Sequence, residues 1–432
     1  MRTAATIPRR SKAAAAAVSR RKGPSLEFWL VFVMLLMTAI FPLIGKYRYA
    51  DQQSQSTPSA QLLWSTMYLV AGVRLIQMRI PSLALLSKSW SIWVLLIYFL
   101  LSTAWSVIPT GTLINAIELI GTSVIAYYVV VRFTLLEFMK ILAWSFVVIG
   151  VLSFFVIFGS PVHGRMDWGG GAWTGLYQEK NNLAAAMAIA VITLVVLVLT
   201  GRGRVRWLGA GALLVCTALL VGSRSATATM SVFVALFVVV VGLTLRSPKI
   251  GPGVRFLILG GGAFIVLVVI GIGLSPDAVL QLTGRDANLT GRTDFWPYLI
   301  TAIKDRPLQG FGYDAFFRSL EGYQYLSYYI QEAGGWYPYH SHNSFIQATL
   351  DGGFIGLGAF VWMLLIGLWR AVGYVMRGTN GTAVWPLAIL VYLTVGSATE
   401  TYFNQFNTVE MLVTVAAILY PLRDRLPGFE RR

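Results

Sequence analysis

The sequence has little charge for its length. Charged residues make up 12% of its 432 residues, whereas hydrophobic residues make up 56%. A soluble domain carries about 25% charged residues, so this chain lacks the polar surface that a water-soluble protein of its size needs. The mean hydropathy of +0.68 agrees with this shortage. The composition therefore excludes an ordinary soluble enzyme and predicts a protein that spans a membrane several times.

Cysteine and the common nucleotide and metal motifs are also scarce. Cys216 is the only cysteine and lies in an apolar run, which excludes an intramolecular disulfide and gives no support to thiol chemistry. The chain contains no GxxxxGK[ST] or GxGxxG motif, so nothing supports nucleotide-driven chemistry. Histidine occurs three times, without the Cys or Glu-x-x-His sets that accompany zinc sites. We therefore expect neither a metal nor a cofactor.

Apolar residues are concentrated in twelve continuous runs. Such runs are typical of helices rather than of the alternating strands of a porin. Because a helix that crosses a bilayer needs roughly 20 apolar residues, the sequence predicts an all-α polytopic membrane protein with about twelve transmembrane helices. The predicted spans are 28–44, 61–78, 90–108, 112–131, 136–158, 182–200, 207–222, 226–245, 254–274, 345–369, 384–399 and 405–421.

Basic residues are distributed unevenly between the two sides that these spans define. An even number of spans puts both termini on one side, and if that side is the cytoplasm, 24 of the 34 lysine and arginine residues lie inside. This is the positive-inside bias of membrane proteins, so the net charge of +16 needs no nucleic acid to explain it. We expect the N-terminal tail to be disordered and the first span to be an uncleaved anchor. The predicted regions are a cytoplasmic tail (1–27), nine spans (28–274), an extracytoplasmic loop (275–344), three spans (345–421) and a second cytoplasmic tail (422–432).

Polar residues are concentrated in two loops on the extracytoplasmic side. The longer loop, 275–344, has 70 residues with charges of both signs, and the shorter, 159–181, has 23. Loops of this length are uncommon and usually functional. Apolar residues at helical spacing predict a short helix over 294–305 that lies on the membrane and ends before Pro307. Seven aromatic residues lie over 323–339, shortly before the next span: Tyr323, Tyr325, Tyr328, Tyr329, Trp336, Tyr337 and Tyr339.

The end of the longer loop, Tyr339-His340-Ser341-His342-Asn343-Ser344, carries two of the three histidines. Histidine can accept a proton near neutral pH, which makes this segment a candidate for acid–base chemistry. A cluster of His and Tyr side chains at the level of the lipid headgroups is an equally good interpretation of these residues alone. His-x-His is a weak metal pattern when no further ligands accompany it.

Arg224 lies in Gly222-Ser223-Arg224-Ser225-Ala226, a break between two apolar runs that is too short for a proper loop. A charge this close to lipid is costly, and such residues usually face a polar cavity. The small neighbouring residues favour this interpretation over an arginine that extends to the lipid surface.

Three further groups of residues are candidates for a functional role. Thr290-Gly291-Arg292-Thr293 lies at the start of the predicted loop helix, where backbone N–H groups and a guanidinium favour an anion. Tyr177-Gln178-Glu179-Lys180-Asn181-Asn182 precedes the sixth span and is equally consistent with a helix cap. Acidic residues in the outer halves of the spans are expected to pair with these arginines or to bind substrate hydroxyls: Glu118, Glu400 and Glu410.

Taken in order, these segments resemble the motifs of the bacterial O-antigen ligases and the related exopolysaccharide and O-antigen polymerases. His342-Asn343 is followed after nine residues by Gly353-Phe-Ile-Gly356, which is similar to the His-Asn and Gly-x-x-Gly pattern of the ligases. The segments around Arg224 and Arg292 resemble arginine motifs of the same family. Glu179-Lys180-Asn181 resembles a family segment that often reads His-Lys-Asn, and Glu179, which departs from it, is given no role.

The resemblance implies a membrane-embedded, GT-C-like glycosyltransferase that is inverting and independent of metal. Its donor would be a glycan on undecaprenyl diphosphate, used at the periplasmic face of the bacterial inner membrane. The resemblance implies that His342 is the catalytic base and that Arg224 and Arg292 bind the diphosphate. The residues that it implies in substrate binding are His340, Asn343, Lys180, Asn181, Tyr313 and Tyr339.

The two activities of this family differ in their acceptor. We expect a polymerase, which extends a second lipid-linked repeat, because the segment 306–313 and the His340–Asn343 motif resemble the exopolysaccharide polymerases more closely. The alternative is a ligase that transfers the glycan to lipid A-core. A transporter or flippase fits less well, since the polar residues lie on one face and show no repeat. The expected partners are the lipid-linked donor, a glycan or lipid A-core acceptor, membrane lipid and other polysaccharide-assembly proteins.

Overall fold

The computed structural model is predominantly helical in the part of the chain that it describes. The described residues are 25–45, 58–166, 171–177, 179–246, 251, 253–254, 292–333, 335, 337–378, 380–403, 408–426 and 429. The ninth predicted span, 254–274, and the first part of the long predicted loop therefore lie outside the described residues, apart from Val254.

Fifteen α-helices are described, numbered here in chain order. They are α1 (Leu26–Gly45), α2 (Pro58–Gln77), α3 (Arg79–Lys88), α4 (Trp90–Leu101), α5 (Pro109–Arg132), α6 (Leu135–Gly159), α7 (Pro161–Gly164), α8 (Lys180–Thr200), α9 (Arg204–Gly222), α10 (Ala226–Leu245), α11 (Arg292–Asp305), α12 (Leu320–Glu332), α13 (Ser344–Arg377), α14 (Trp385–Gly396) and α15 (Val409–Arg423). Short 3₁₀ turns lie at Ser102–Ala104, Phe316–Arg318 and Gly381–Val384.

Helix boundaries follow the local sequence. Thr134 accepts a hydrogen bond from the backbone N–H of Glu137, and the Glu137 carboxylate accepts one from the N–H of Thr134, which is the reciprocal capping that fixes the start of α6. Thr408 caps α15 in the simpler way, by accepting from the N–H of Met411. Pro109 occupies the first turn of α5, where the missing N–H costs nothing.

Several of these helices have the length and hydropathy of membrane spans. Among the described residues, five helices are long and apolar enough to cross a bilayer by themselves, namely α5, α6, α8, α10 and α13. The pair α2 and α3 adds a sixth span if the two are counted together across their bend of 104°. Helix α8 lies in the interior of the bundle, whereas α2 and α13 expose large apolar residues such as Leu62 (72%) and Trp369 (79%). Apolar surface on the outside of a packed bundle is what lipid contact requires, so the chain is a multi-pass membrane protein.

A second, smaller core lies between α11, α12 and the start of α13. It contains Phe295 and Leu299 of α11, Phe311 and Phe316 of the connecting segment, and Leu326 of α12. The predicted loop helix therefore exists and starts two residues earlier than expected, but its apolar face packs against protein. The expectation that this face lies on the membrane is corrected accordingly, although Ile300 remains 45% exposed. The sequence predicts short helices in this loop but places none over the residues of α12.

Helix α13 bends at Gly353, which has φ 62° and ψ −163°. The segment that follows α11 packs into this bend: the N–H of Phe354 donates to the carbonyl of Pro307 (2.7 Å), and the N–H of Phe311 donates to the carbonyl of Leu350 (2.8 Å). A Cβ at position 353 would lie 2.2 Å from the carbonyl carbon of Leu308. The bend thus brings the segment 306–313 into contact with Gly353-Phe-Ile-Gly356, two segments that are far apart in the sequence. It also sets the direction of the first part of α13.

Replacement of Gly353 by alanine is expected to destabilise the protein by at least about 1–3 kcal/mol, because a side chain is strained at this φ and also collides with the backbone of Leu308. Thermal unfolding of the purified protein in detergent measures the effect as a lower Tm. Gly358→Ala is the matched control on the same helix, since a Cβ there meets nothing within 4 Å. Equal Tm values for the two variants would contradict the role assigned to the bend.

Candidate active site

The histidine segment, residues 339–344, lies directly before α13 and is held by the cap of that helix. The side-chain oxygen of Asn343 accepts hydrogen bonds from the N–H groups of Phe345 (2.9 Å) and Ile346 (3.1 Å). The Asn343 amide nitrogen donates to the carbonyl of Ala398 (2.9 Å). Immediately before the cap, His342 has a φ of 51°, a left-handed backbone conformation that is uncommon outside glycine. Strained residues of this kind cluster at functional sites.

His342 is paired with a carboxylate. Its Nδ1 lies 3.1 Å from Oε2 of Glu400, and the two side chains are 13% and 5% exposed. A carboxylate accepts the proton of Nδ1–H, and this leaves the lone pair on Nε2. The same contact stabilises the imidazolium that forms when Nε2 takes up a proton. The geometry therefore suits His342 to act as a base, with Glu400 holding its ring and its tautomer.

Glu400 is held in place by hydrogen bonds between its segment and the start of α13. The N–H of Ser344 donates to the carbonyl of Ser397 (2.9 Å), and the hydroxyl of Ser344 donates to the carbonyl of Glu400 (3.1 Å). Because both partners of the pair are fixed to one helix end, their separation does not depend on a flexible loop. We call the end of the helix bundle that carries this pair the site end.

His340 lies beside His342, with 4.0 Å between the ring centroids. Its Nδ1 accepts the backbone N–H of His342 (3.2 Å) and lies 3.3 Å from the hydroxyl of Thr401. Tyr339 is 66% exposed. His340 therefore supports the strained backbone of His342, while Tyr339 has surface available for a ligand.

Arg224 occupies the break between α9 and α10, has a φ of 54° and is exposed. The break is anchored at the site end from two sides. The carbonyl of Gly222 accepts from the N–H of Trp173 (3.0 Å), and the hydroxyl of Thr227 lies 2.8 Å from that of Thr399. Since Thr399 precedes Glu400, the arginine break and the histidine–glutamate pair share one packed segment.

Arg292 is the first residue of α11, and its side chain lies outside the described residues. The helix start itself faces the histidine segment: the ring centroid of Phe295 lies 6.5 Å from that of His342. The indole N–H of Trp296 also donates to the carbonyl of Ser341 (2.9 Å). The backbone of α11 thus brings position 292 to the side of the bundle on which His342 lies.

The remaining predicted residues differ in how much surface they present. Lys180 and Asn181 form the first turn of α8 and are half-buried. Tyr313 is fully buried, with its ring stacked on Phe99 at a centroid distance of 4.9 Å. Because it has no accessible surface in this structure, we assign Tyr313 to packing rather than to substrate contact. The side chain of Asn343 is likewise engaged in the cap described above.

A buried polar network that the sequence analysis missed supports the histidine segment from below. The N–H of Ser341 donates to the side chain of Gln347 (3.1 Å), which in turn donates to Asp351 (3.0 Å). Asp351 also accepts from the backbone N–H of Asp314 (3.1 Å), and Asp314 forms an ion pair with Arg318 (2.7 Å). Burial raises the pKa of the Asp314 carboxyl, and the guanidinium of Arg318 opposes that rise.

Two of these residues could be recognised by helical spacing, because Gln347 and Asp351 are four positions apart on α13. Nothing in the local sequence marks Asp314, and Glu400 was recognised only as an acidic residue near the outer end of a span. The structure pairs Glu400 with His342, a partner that the sequence analysis did not consider. Among the described residues, no group of three or more His, Cys, Asp and Glu side chains is arranged to hold a metal ion, and the absence of a metal stays a prediction.

Comparison with known proteins agrees with the resemblance. Residues 209–361 match the family model described as O-antigen ligase. The exopolysaccharide production protein ExoQ of Rhizobium meliloti (strain 1021) is 30% identical over 223 residues, which cover 48% of this chain and 48% of that protein. The chain thus aligns with about half the length of this curated relative.

The family match contains the arginine break, the start of α11 and the histidine segment, and it ends before Glu400. Residues 209–361 of this chain are therefore similar to the O-antigen ligase family, and about half of the chain is similar to an exopolysaccharide production protein.

Proposed function

We propose that the protein polymerises oligosaccharide repeats carried on undecaprenyl diphosphate, by inverting glycosyl transfer at the periplasmic face of the bacterial inner membrane. The observation that carries this proposal is the contact between His342 and Glu400, which provides an oriented base at the site end. The family match supports glycosyl transfer. Similarity to a protein named for exopolysaccharide production favours the polymerase over the ligase.

In the proposed reaction, the acceptor is a sugar hydroxyl at the non-reducing end of a second lipid-linked repeat. Nε2 of His342 removes the hydroxyl proton while the oxygen forms a bond to the anomeric carbon of the donor. The bond between that carbon and the phosphate oxygen breaks, and undecaprenyl diphosphate leaves from the opposite face, so the configuration inverts. The Glu400 carboxylate stabilises the resulting imidazolium until its proton passes to water.

The leaving diphosphate gains negative charge as this bond breaks. Arginine binds phosphate oxygens through two parallel N–H groups, and a preorganised cation stabilises charge that develops in the transition state. We assign this task to Arg224, and its exposure in a break that packs against the Glu400 segment supports the assignment. We assign the same role to Arg292, at the start of the helix that lies over His342. In this proposal, neither removal of the hydroxyl proton nor stabilisation of the leaving diphosphate requires a metal.

Charge distribution supports the proposed orientation in the membrane. Contacts among the described residues place basic side chains at the end opposite the site: Arg74, Lys88, Arg132, Arg370 and Arg423. A basic end is expected to face the cytoplasm. The site end, with the histidine segment and the exposed tyrosines of α12, would then face the periplasm, where exposed aromatic rings can stack on sugars. The half-buried residues Lys180 and Asn181 are proposed to bind substrate at the same end.

The alternative acceptor is lipid A-core, and the description of the matched family as O-antigen ligase favours it. The catalytic residues would be the same in both cases, since only the hydroxyl that enters the site differs. The two activities therefore have to be separated by their products.

Deletion of this protein in its host is expected to cause single lipid-linked repeats to accumulate on the outer surface of the inner membrane. Extraction of lipid-linked glycans and sizing by mass spectrometry measures chain length, and lectin labelling of intact spheroplasts shows the membrane side. Long lipid-linked chains beside bare lipid A-core would instead identify a ligase. Single repeats that are inaccessible to the lectin would identify a flippase and contradict the proposal.

A further inference from the structure

A cavity of about 350 Å³ lies at the end of the bundle opposite His342. Its walls come from the start of α1, the bend between α2 and α3, and the end of α5, through Glu27, Arg74, Gln77, Met78 and Arg132. Helix α5 shows how far this cavity is from the site. Asn115, near one end of α5, contacts Asp314 of the site network, and Arg132 lies 17 residues later, or about 26 Å along the helix axis.

The charged groups of this cavity form an unequal cluster of two cations and one anion. One carboxylate oxygen of Glu27 accepts from Arg74 (2.6 Å), and the other accepts from Nε of Arg132. Arg74 also donates to the side chain of Gln77 (2.8 Å). The cluster therefore keeps a net positive charge, and the two guanidinium groups have more N–H donors than these acceptors use.

The two arginines are accessible to a ligand. Their side chains are 43% (Arg74) and 35% (Arg132) exposed, whereas Glu27 is only 16% exposed. An entering anion thus meets guanidinium groups first and the carboxylate behind them. Guanidinium pairs with phosphate oxygens through parallel N–H groups, so a phosphate diester is the anion that this arrangement fits best.

The surroundings indicate where such a phosphate comes from. Ile76 and Ile80 flank Gln77 and Met78 in the sequence and are 73% and 78% exposed. In a protein that spans a membrane, such exposed aliphatic side chains contact acyl chains, so the cavity opens at the boundary between headgroups and hydrocarbon. Basic pockets between spanning helices on the cytoplasmic side bind anionic headgroups. A phospholipid can place its phosphate on the arginines while its acyl chains contact Ile76 and Ile80.

We propose that the cavity lined by Glu27, Arg74 and Arg132 is a binding site for the phosphate of an anionic phospholipid in the inner leaflet. This proposal does not depend on the catalytic role of His342. It assigns Glu27 a specific part, because its carboxylate both positions the two arginines and competes with the lipid phosphate for their N–H groups.

This competition between Glu27 and the lipid phosphate makes it possible to distinguish a lipid site from a purely structural ion cluster. In a structural cluster, removal of the Glu27 charge lowers stability and leaves lipid binding unchanged. In a lipid site, Glu27→Gln keeps an oxygen that can accept from an arginine but removes the competing charge, so lipid affinity increases. Arg132→Gln is expected to have the opposite effect on affinity.

The test compares binding of phosphatidylglycerol and phosphatidylcholine to the full-length protein in neutral detergent, by native mass spectrometry. We expect the wild type to prefer phosphatidylglycerol, and Arg132→Gln to lose about tenfold of that preference, as expected for one charge-assisted contact. Glu27→Gln should strengthen the preference. Arg204→Gln is the matched control, since Arg204 is an exposed arginine at the start of α9, at the same end of the bundle. Size-exclusion chromatography confirms that each variant is folded. If Arg132→Gln does not fold, Arg132→Lys, which keeps the charge but lacks the planar pair of N–H donors, replaces it in the comparison.

Three results would overturn the proposal. One is an equal loss of preference in Arg132→Gln and Arg204→Gln, which would mean that only total charge matters. Another is an unchanged or weaker preference in Glu27→Gln. The third is displacement of phosphatidylglycerol by inorganic phosphate at the same concentration, because it would identify a site for free anions rather than for a lipid.

Discussion

Replacement of His342 by alanine is expected to lower the rate of glycan transfer by about 10²–10⁴-fold, the usual contribution of a general base. The variant should remain folded in the membrane, because Asn343 and Ser344 hold the segment through hydrogen bonds that do not involve the imidazole. Polymer formed from purified lipid-linked repeats in detergent or nanodiscs, resolved by gel electrophoresis, measures the rate.

His163→Ala is the control for this substitution. His163 is the third histidine of the chain, and its Nδ1 contacts Ser160 (2.7 Å) rather than a carboxylate of the site. It should keep the wild-type rate. Polymer of normal length and yield from the His342→Ala variant would refute the assignment of the base.

We propose that Glu400 acts only through His342, and the same polymerisation assay tests this role. In Glu400→Gln the side-chain amide can donate to Nδ1, which favours the tautomer with its proton on Nε2 and removes the acceptor that the base needs. We expect a loss of rate that is smaller than in His342→Ala, and no additional loss when both changes are combined. Additive losses would show that Glu400 acts independently of His342.

Replacement of Arg224 by lysine is expected to lower the rate at least about tenfold, and replacement by glutamine about 10²–10³-fold, the range found when one group that stabilises developing charge is removed. Lysine keeps the charge but has no planar pair of N–H donors, so it binds one phosphate oxygen where arginine binds two. The same polymerisation assay, with donor concentration varied, separates a change in kcat from a change in KM.

Arg165→Lys provides the comparison for Arg224→Lys. Arg165 lies in the other loop near this end, where its guanidinium packs over the ring of Phe158 at 5.4 Å. Because stacking on a ring does not involve a phosphate, this variant should polymerise at nearly the wild-type rate. A wild-type rate in Arg224→Lys and Arg224→Gln would reduce Arg224 to a structural residue.

Several helices of the bundle could be predicted from the sequence, because a span needs a long apolar run whatever its neighbours are, but the number of twelve spans stays a prediction. The run at 226–245 coincides with α10, and the run at 136–158 differs from α6 by one residue at each end. Helix α12 was missed because its tyrosines and polar residues do not form an apolar run. It is stabilised instead by burial of Leu326 and Tyr329 against α11 and the connecting segment.

The site was only partly predictable, for a different physical reason. Motif spacing made His342 and Arg224 candidates, since both lie in segments whose composition departs from that of their surroundings. The partner of His342 lies 58 positions away in the sequence, and no local pattern brings Glu400 to it. That contact depends on how α13 and α14 pack, which in turn depends on Ser344 and on the bend at Gly353. The resemblance also implies that Tyr313 binds substrate, and only the three-dimensional structure shows that its side chain is fully buried.

The proposed mechanism requires one pocket in which an imidazole and two guanidinium groups surround a lipid-borne diphosphate. A cryo-electron microscopy structure of the full-length protein in a nanodisc with undecaprenyl diphosphate bound tests it most directly. We expect the diphosphate to lie within hydrogen-bonding distance of Arg224 and Arg292, with Nε2 of His342 facing the same cavity and Nδ1 on Glu400. Diphosphate bound away from both arginines, or His342 in a separate cavity, would contradict the proposed mechanism.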